Sequence, residues 1–366
     1  MKSYLFLFLA VLAADVHAQS SITLYGVIDD GINYVTNENG HSAWQMASTV
    51  MQGERIGFRG VEDLGGGVKA IFTLEDGFDV NSGGLLQGKR LFGRQAFVGL
   101  SSDVGTITLG RQYDPTVDYV QPLSNNAFYA SYGGHPGDND NLQDNFRINN
   151  AVKFKSATYH GASFEAMYAF SNAAGAFSGN SAWSLGTGYS QGPISAGAGI
   201  LKLNHPASNT SGAVGSSGEG IGSDYVSFAN TFVAGTVNDE IIADGGINYL
   251  FSKGSVGVVI SHVLYDLSVS RVTFNNYELN ASYFFTPALR LAGSYTFTDG
   301  RVPVIHESPK YHQLSFALDY FLSKRTDVYV MLAAQKAIGT FADIIDIAPS
   351  NSDKQLVARL GMRVKF

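Results

Sequence analysis

Lys354-Gln355-Leu356-Val357-Ala358-Arg359-Leu360-Gly361-Met362-Arg363-Val364-Lys365-Phe366 alternates between two faces. Leu356, Ala358, Leu360, Met362, Val364 and Phe366 fall on one side, and Gln355, Arg359, Gly361, Arg363 and Lys365 on the other. Successive side chains leave a pleated strand on opposite faces, so a period of two means an extended strand. No predicted helix is at hand to cover the apolar stripe. A strand with one face in lipid and the other in water needs this pattern, so the stretch predicts a transmembrane β-barrel.

The opposite end predicts export. Residues 1–18 carry Lys2, an apolar run over 4–14 and the small-x-small site Val16-His17-Ala18, which together read as a cleavable signal peptide. The mature barrel domain is then expected over 19–366. The apolar run falls short of the roughly 18 residues a membrane helix requires. With no cysteine in 366 residues, disulfides and thiolate metal sites are excluded. Abundant glycine (42) beside 12% aromatics suits strands joined by tight turns, because glycine costs a helix about 1 kcal/mol per position. A net charge of −7 argues against nucleic acid as a partner.

Sixteen segments read as strands: 21–35, 53–64, 68–79, 90–101, 106–113, 150–159, 162–170, 182–190, 194–204, 240–251, 255–267, 273–285, 289–298, 311–322, 326–337 and 354–366. Residues 224–233 read either as a further strand or as part of a large loop, which leaves sixteen or eighteen open around 205–240. Connections alternate in length. Those at 63–67, 102–105, 160–161, 191–193, 252–254, 286–288 and 323–325 are short and rich in Gly, Pro, Ser and Asp. Those at 36–52, 114–149, 204–239 and 338–353 are long, and 208–223 is nearly a Gly/Ser tract. Short turns at one end and long loops at the other describe an all-β, sixteen-stranded antiparallel barrel with periplasmic turns and external loops. Sixteen strands leave a water-filled lumen. Tyr159, Tyr189, Tyr249, Phe251, Phe284, Phe285, Tyr320, Phe321 and Phe366 lie beside the short turns and form a candidate interfacial girdle, unless they simply follow the aromatic preference of strands.

In Arg55-Ile56-Gly57-Phe58-Arg59 the arginines share one face. An arginine in mid-membrane lipid costs about 2–4 kcal/mol, so Arg55 and Arg59 are expected to face the lumen. Arg111 closes the strand before the long 114–149 loop, and Arg147 stands at that loop's end. Each is a candidate cation on a channel wall, and a solvated arginine without a role is the alternative for each. Strict alternation would put Arg94 with Ala96, Val98 and Leu100, so only the cost of lipid exposure argues it inward.

The segments 22–29 (Ile-Thr-Leu-Tyr-Gly-Val-Ile-Asp), 55–67 (Arg-Ile-Gly-Phe-Arg-Gly-Val-Glu-Asp-Leu-Gly-Gly-Gly), 94–100 (Arg-Gln-Ala-Phe-Val-Gly-Leu) and Gly110-Arg111-Gln112, with Phe366 at the end, occur in the order of a known family. The chain resembles the general porins of Gram-negative bacteria, in the branch typical of Neisseria, Bordetella and Burkholderia. That resemblance implies a homotrimer of separate pores, each narrowed by a third loop, here 114–149, folded into the lumen. It implies that Arg55, Arg94 and Arg147 face this loop, with Arg59 and Arg111 nearby, and that Asp118 matches a carboxylate near the loop's start. The enterobacterial Pro-Glu-Phe-Gly-Gly-Asp motif is replaced by Ala130-Ser131-Tyr132-Gly133-Gly134-His135, which weakens the acidic side. Arginines with few opposing carboxylates raise local anion concentration in a low-dielectric neck, so mild anion selectivity is expected. External loop charges lie beyond a Debye length of about 8 Å and need not reverse it. The expected partners are outer-membrane lipid, lipopolysaccharide, small hydrophilic solutes and inorganic or organic anions, with no cofactor, metal or catalytic residue.

Gly188-Tyr189-Ser190-Gln191-Gly192 matches the G-x-S-x-G nucleophile elbow, but that motif needs a strand-to-helix turn and Pro193 with a second strand follows. The competing readings are a substrate-specific porin, whose conductance would saturate with solute, and an adhesive or structural barrel acting through its long loops. Small residues Gly57, Gly60, Gly93 and Gly99 are compatible with a flat subunit interface or with strand bends.

Overall fold

A computed structural model describes residues 20–215 and 225–366, and the expected signal peptide lies outside the described residues. The strands are β1 (Ser21–Glu38), β2 (His41–Ser48), β3 (Arg55–Gly65), β4 (Val68–Asp76), β5 (Gln95–Ser102) and β6 (Gly105–Gln112). They continue as β7 (Ile148–Ser156), β8 (Ala162–Ala169), β9 (Ser181–Gln191), β10 (Ile194–Asn204), β11 (Val237–Phe251) and β12 (Gly254–Leu267). The last are β13 (Arg271–Thr286), β14 (Leu289–Arg301), β15 (Lys310–Phe321), β16 (Thr326–Ile338) and β17 (Lys354–Lys365). Except for β2 and β3, which both pair with β1, each pairs antiparallel with its neighbours in the chain.

The terminal strand closes the circle. β17 pairs with β16 on one side and with β1 on the other, from Val27 opposite Lys365 to Val35 opposite Val357. Phe366 exchanges backbone hydrogen bonds with Gly26 at 3.0 and 3.1 Å. A Cβ on Gly26 would stand 2.3 Å from the Phe366 ring, so glycine there lets the terminal aromatic lie across the seam. Pairing of β17 with β1 leaves no open seam in the barrel, which hydrocarbon demands.

The barrel has sixteen staves, as expected, although seventeen strands form among the described residues. β2 pairs with the external half of β1 and β3 with the periplasmic half, so the two are one stave broken at 49–54. Asp29 fills the break, accepting the N–H groups of Met51 (2.5 Å) and Gln52 (3.2 Å), while Glu54 accepts that of Asp29 (3.2 Å). Where the sequence predicts a loop over 36–52 the structure forms β2, with Trp44 and Met46 facing outward in alternation with Ala43, Gln45 and Ala47. The 224–233 alternative resolves against a strand, since its described part holds only a 3₁₀ turn, Phe228–Thr231.

The outer surface is the expected apolar band. Val256, Val258 and Ile260 on β12 and Leu314, Phe316 and Leu318 on β15 are exposed, while the intervening Ser255, Ser261, Gln313 and Ser315 are buried toward the lumen. Tyr159, Tyr189, Tyr249, Phe251, Phe285, Tyr320 and Phe366 are exposed at the short-turn end, as a girdle requires. Phe284 and Phe321 do not belong to it. They stack on each other at 6.2 Å, and Phe321 lines a lumenal cavity, because both sit on the inward phase of their strands. The small residues also have partners within the chain: Gly57 makes room for the Tyr25 ring and Gly60 for the Phe72 ring.

Candidate functional site: a constriction in the lumen

The 113–147 loop enters the barrel and crosses it. Its first turn is α1 (Pro115–Tyr119), capped by Asp114, whose side chain accepts the N–H groups of Thr116 (2.9 Å) and Val117 (3.3 Å). α1 rests on a floor of inward glycines, Gly186 and Gly188 on β9 and Gly197 and Gly199 on β10. A Cβ at Gly197 would fall 2.3 Å from the Tyr119 carbonyl oxygen, so any side chain there would push the loop from the wall. This floor includes the first glycine of the G-x-S-x-G match. Ser190 lies within β9 and a turn to β10 follows, so no nucleophile elbow exists there.

Beyond α1 the loop is fastened to neutral polar side chains of β13, β14 and β15. Asn280 donates to the Leu123 carbonyl (2.9 Å), the Tyr129 hydroxyl donates to Ser294 (2.9 Å), and Gln313 donates to the carbonyls of Tyr132 (3.0 Å) and Gly134 (3.1 Å). At the far side the Ala130 N–H reaches the Met51 carbonyl (3.2 Å) in the break between β2 and β3. The loop then doubles back through His135, whose Nδ1 lies 2.6 Å from Asp140 and whose Nε2 lies 3.1 Å from Glu278. Two carboxylates on the two ring nitrogens call for an imidazolium, which has two donors. Burial opposes that charge, but Asp140 and then Glu278 hold the His135 pKa well above its ordinary value. Asp140 is correspondingly held low despite its burial, with His135 the main cause and a hydrogen bond from Ser261 assisting.

What the loop leaves open is a cavity of about 750 Å³. Arg55, Arg94 and Arg147 all line it. Arg55 donates to the Gly53 carbonyl (3.0 Å), and a Cβ on Gly53 would stand 3.0 Å from the Arg94 guanidinium, so both converge on that glycine. Arg94 is buried, bound to Glu75 (2.9 Å), to the Tyr113 hydroxyl (2.8 Å) and more distantly to Asp144 (3.6 Å). Its inward direction follows from its position one residue before β5, where the chain is not yet in the strand's phase. Arg147 meets Asp144 at 2.5 Å and lies over the Tyr113 ring at 5.3 Å. Asp144 therefore joins two of the three arginines.

The other sequence-selected residues do not line this cavity. Arg59 lies over the Tyr25 ring at 4.3 Å. Arg111 is buried, donating to the Gly93 carbonyl (2.7 Å), Asn149 (2.5 Å) and the Arg147 carbonyl (3.3 Å), where it braces rather than faces the lumen. Asp118 pairs with Lys153 at 2.5 Å on the β7 wall.

A second cationic group, which no sequence motif singles out, lines the same cavity: Arg290, Arg363 and Lys365. Lys365 and Arg55 lie opposite the same residue, Val27, on either side of β1, so the cations run on from β3 across the closing seam. Arg290 is held by Asp319 (3.0 Å) and lies 5.6 Å from the Phe321 ring, and Arg363 is held by Asp327 (3.0 Å). Alternation in the terminal strand had placed Arg363 and Lys365 on the wet face. Their place at the neck needed the third dimension. Six cations thus line the cavity against the carboxylates Glu54, Asp138, Asp144, Glu240 and Asp346. Burial, reinforced by Asp140, pushes Asp138 well above the usual carboxylate range.

A closed barrel with an apolar exterior, a polar interior and a loop-narrowed lumen defines a water-filled outer-membrane channel. The Gram-negative porin family profile matches residues 7–339, and the chain belongs to that family. It is 29% identical to an outer membrane porin protein of Bordetella pertussis over 98% of this chain and 97% of that one. It is also 29% identical to outer membrane porin protein 32 of Delftia acidovorans, over 90% and 88% of the two chains. Among solved structures, an anion-selective porin from Comamonas acidovorans superposes with a TM-score of 0.77 at 23% identity, covering 95% of this chain and 100% of that one. Among the described residues no helix is long and apolar enough to cross a membrane.

Proposed function

We propose that the barrel is a passive diffusion pore for small hydrophilic solutes, mildly selective for anions at a constriction formed by Arg55, Arg94 and Arg147 facing the third loop. The observation that carries this reading is the convergence of these three arginines, joined by Arg290, Arg363 and Lys365, on one lumenal cavity. Fixed cations in a narrow, low-dielectric-walled passage concentrate anions and lower their barrier. Glu75 and Asp144 offset part of that charge, which keeps the preference mild and binding weak enough for an anion to leave. The similarity to an anion-selective porin agrees with this direction. Arg59, Arg111 and Asp118 act in support, the first two along the same wall and the third by holding α1. The pore works as a homotrimer in outer-membrane lipid and lipopolysaccharide, in keeping with a trimer form among its structural neighbours.

Conductance of the refolded protein in planar bilayers tests this. A general pore gives conductance linear in salt and solute concentration, with openings in groups of three. Saturation with one organic anion would favour a substrate-specific porin, and no openings would return the adhesive reading.

A further inference from the structure

The connection from β4 to β5, residues 77–94, also folds toward the lumen of its own barrel. It begins as a short hairpin: Phe78 bridges Leu85, the Asp79 N–H donates to the Gly84 carbonyl (2.9 Å) and the Leu86 N–H to the Gly77 carbonyl (2.8 Å). The hairpin tip is fastened across the break between β2 and β3. Buried Glu54 accepts the Val80 N–H (2.8 Å), Ser48 donates to Asp79 (2.8 Å) and Asn81 donates to Asp30 (3.1 Å). The returning chain then brings Leu86, Gln87 and Gly88 onto the wall of the 750 Å³ cavity that Arg55 and Arg94 also line.

Three successive residues turn left-handed there, Gln87 (φ 46°), Gly88 (φ 75°) and Lys89 (φ 61°). A residue with a side chain keeps this conformation only where its surroundings fix it. The Gln87 side chain is clasped between two glycines: a Cβ on Gly77 would stand 2.1 Å from its Oε1, and one on Gly93 2.8 Å from its Cβ. The turn also braces itself, since the Lys89 N–H donates to the Leu86 carbonyl (3.1 Å) and the Arg90 guanidinium to the Gln87 carbonyl (2.9 Å). Leu86, Gln87 and Gly88 carry no charge, so the part of this loop that meets the cavity cannot sort solutes as the adjoining arginines do. A fixed, neutral segment on a pore wall acts through the width it leaves.

We infer that residues 86–88 are a second, uncharged jaw of the constriction, which sets the largest solute that passes while the arginines set the preferred charge. The third loop bounds the cavity through Gln121, Asn126 and Gln143, and the 86–88 turn bounds it from the connection between β4 and β5. This inference rests on the pore reading above and adds to it a size filter with its own residues.

The chain has no cysteine, so single introduced thiols test the jaw directly. Leu86→Cys is compared with Leu91→Cys, which is exposed on the same loop but outside the cavity. Each refolded protein is treated in planar bilayers and in liposomes with the neutral reagent benzyl methanethiosulfonate, and labelling is counted by mass spectrometry. Labelled Leu86→Cys should lose about half of its single-channel conductance and admit a trisaccharide more slowly relative to a pentose, at an unchanged reversal potential. Labelled Leu91→Cys should conduct as it did before. A Leu86→Cys thiol that stays unlabelled in the open channel, or full labelling with conductance and sugar ratio unchanged, would overturn the jaw. A shifted reversal potential would overturn the division between width and charge. Absence of openings before labelling would overturn the pore reading and this inference together, whereas normal openings indifferent to the label would overturn this inference alone.

Discussion

Two walls of the barrel meet water in different ways. From β3 to β7 the strands are short, 8 to 11 residues, and the wall presents arginines to an open cavity. From β11 to β16 they run 12 to 16 residues, and the lumenal side chains are mostly neutral, Asn276, Asn280, Ser294, Thr296, Gln313 and Ser315 among them. The third loop lies over this wall and is hydrogen-bonded to the side chains of Asn276, Asn280, Ser294 and Gln313. One wall supplies the field and the other supplies the mount for the gate. A neutral mount suits its task, since a hydrogen-bonded Asn or Ser holds a loop without adding a charge that would compete with the arginines.

The mount has a buried charged fastening at His135, and breaking it should have the largest structural effect. His135→Gln leaves Asp140 and Glu278 buried without a counter-charge, and loss of one partner of a buried pair costs about 3–5 kcal/mol. We expect residues 131–142 to lose amide hydrogen-exchange protection while the barrel strands keep theirs. Equal protection in the variant would mean that the neutral bonds alone hold the loop.

The same fastening depends on pH. The folded pKa of His135 is raised, so its contribution is complete below the ordinary histidine value and fades as pH climbs through the raised one. That of Asp140 is lowered, so its share is complete above the ordinary carboxylate value and fades as pH falls through the lowered one. Loop protection should therefore be flat across neutral pH and fall at both extremes, and His135→Gln should remove the alkaline limb. An alkaline limb that survives in the variant would assign it to another group.

Next in size is the glycine floor. Gly197→Val forces a side chain against the Tyr119 carbonyl, and overpacking of this kind costs about 1–3 kcal/mol. Single-channel records should show altered conductance and added noise. Records identical to wild type would mean that α1 is not seated there.

On the other wall, Arg290→Gln should shift the reversal potential in the same direction as Arg94→Gln, because both arginines line the same cavity. A larger shift for Arg290 would move the selectivity filter to the periplasmic mouth. Smallest of all, Asp118→Asn breaks a partly exposed pair with Lys153, worth about 0–1 kcal/mol, and should leave selectivity unchanged.

The alternation that revealed the barrel is a local signal, and it found each of the sixteen staves. It failed where the chain leaves strict pleating. The break at 49–54 hid β2 as a loop, and the irregular entry to β5 gave Arg94 the wrong phase. Phe284 and Phe321 were grouped by nearness to a turn, although their parity points inward. The loop's mount was present in the sequence as Gly186, Gly188, Gly197 and Gly199, but spaced glycines read equally as bends until α1 is seen resting on them. Arg290 gave no signal by itself. Its place beside Arg363 depends on the pairing of four strands, β14 to β17, with Asp319 reaching both arginines, a relation no single segment contains.

The most direct test is the reversal potential across a potassium chloride gradient, measured for the refolded wild-type protein and for Arg55→Gln/Arg94→Gln/Arg147→Gln. Wild type should reverse on the chloride side, and the triple variant should move toward or past zero to the potassium side. A wild-type reversal on the potassium side, or a triple variant indistinguishable from wild type, would contradict the claim that these three arginines set the selectivity of the pore.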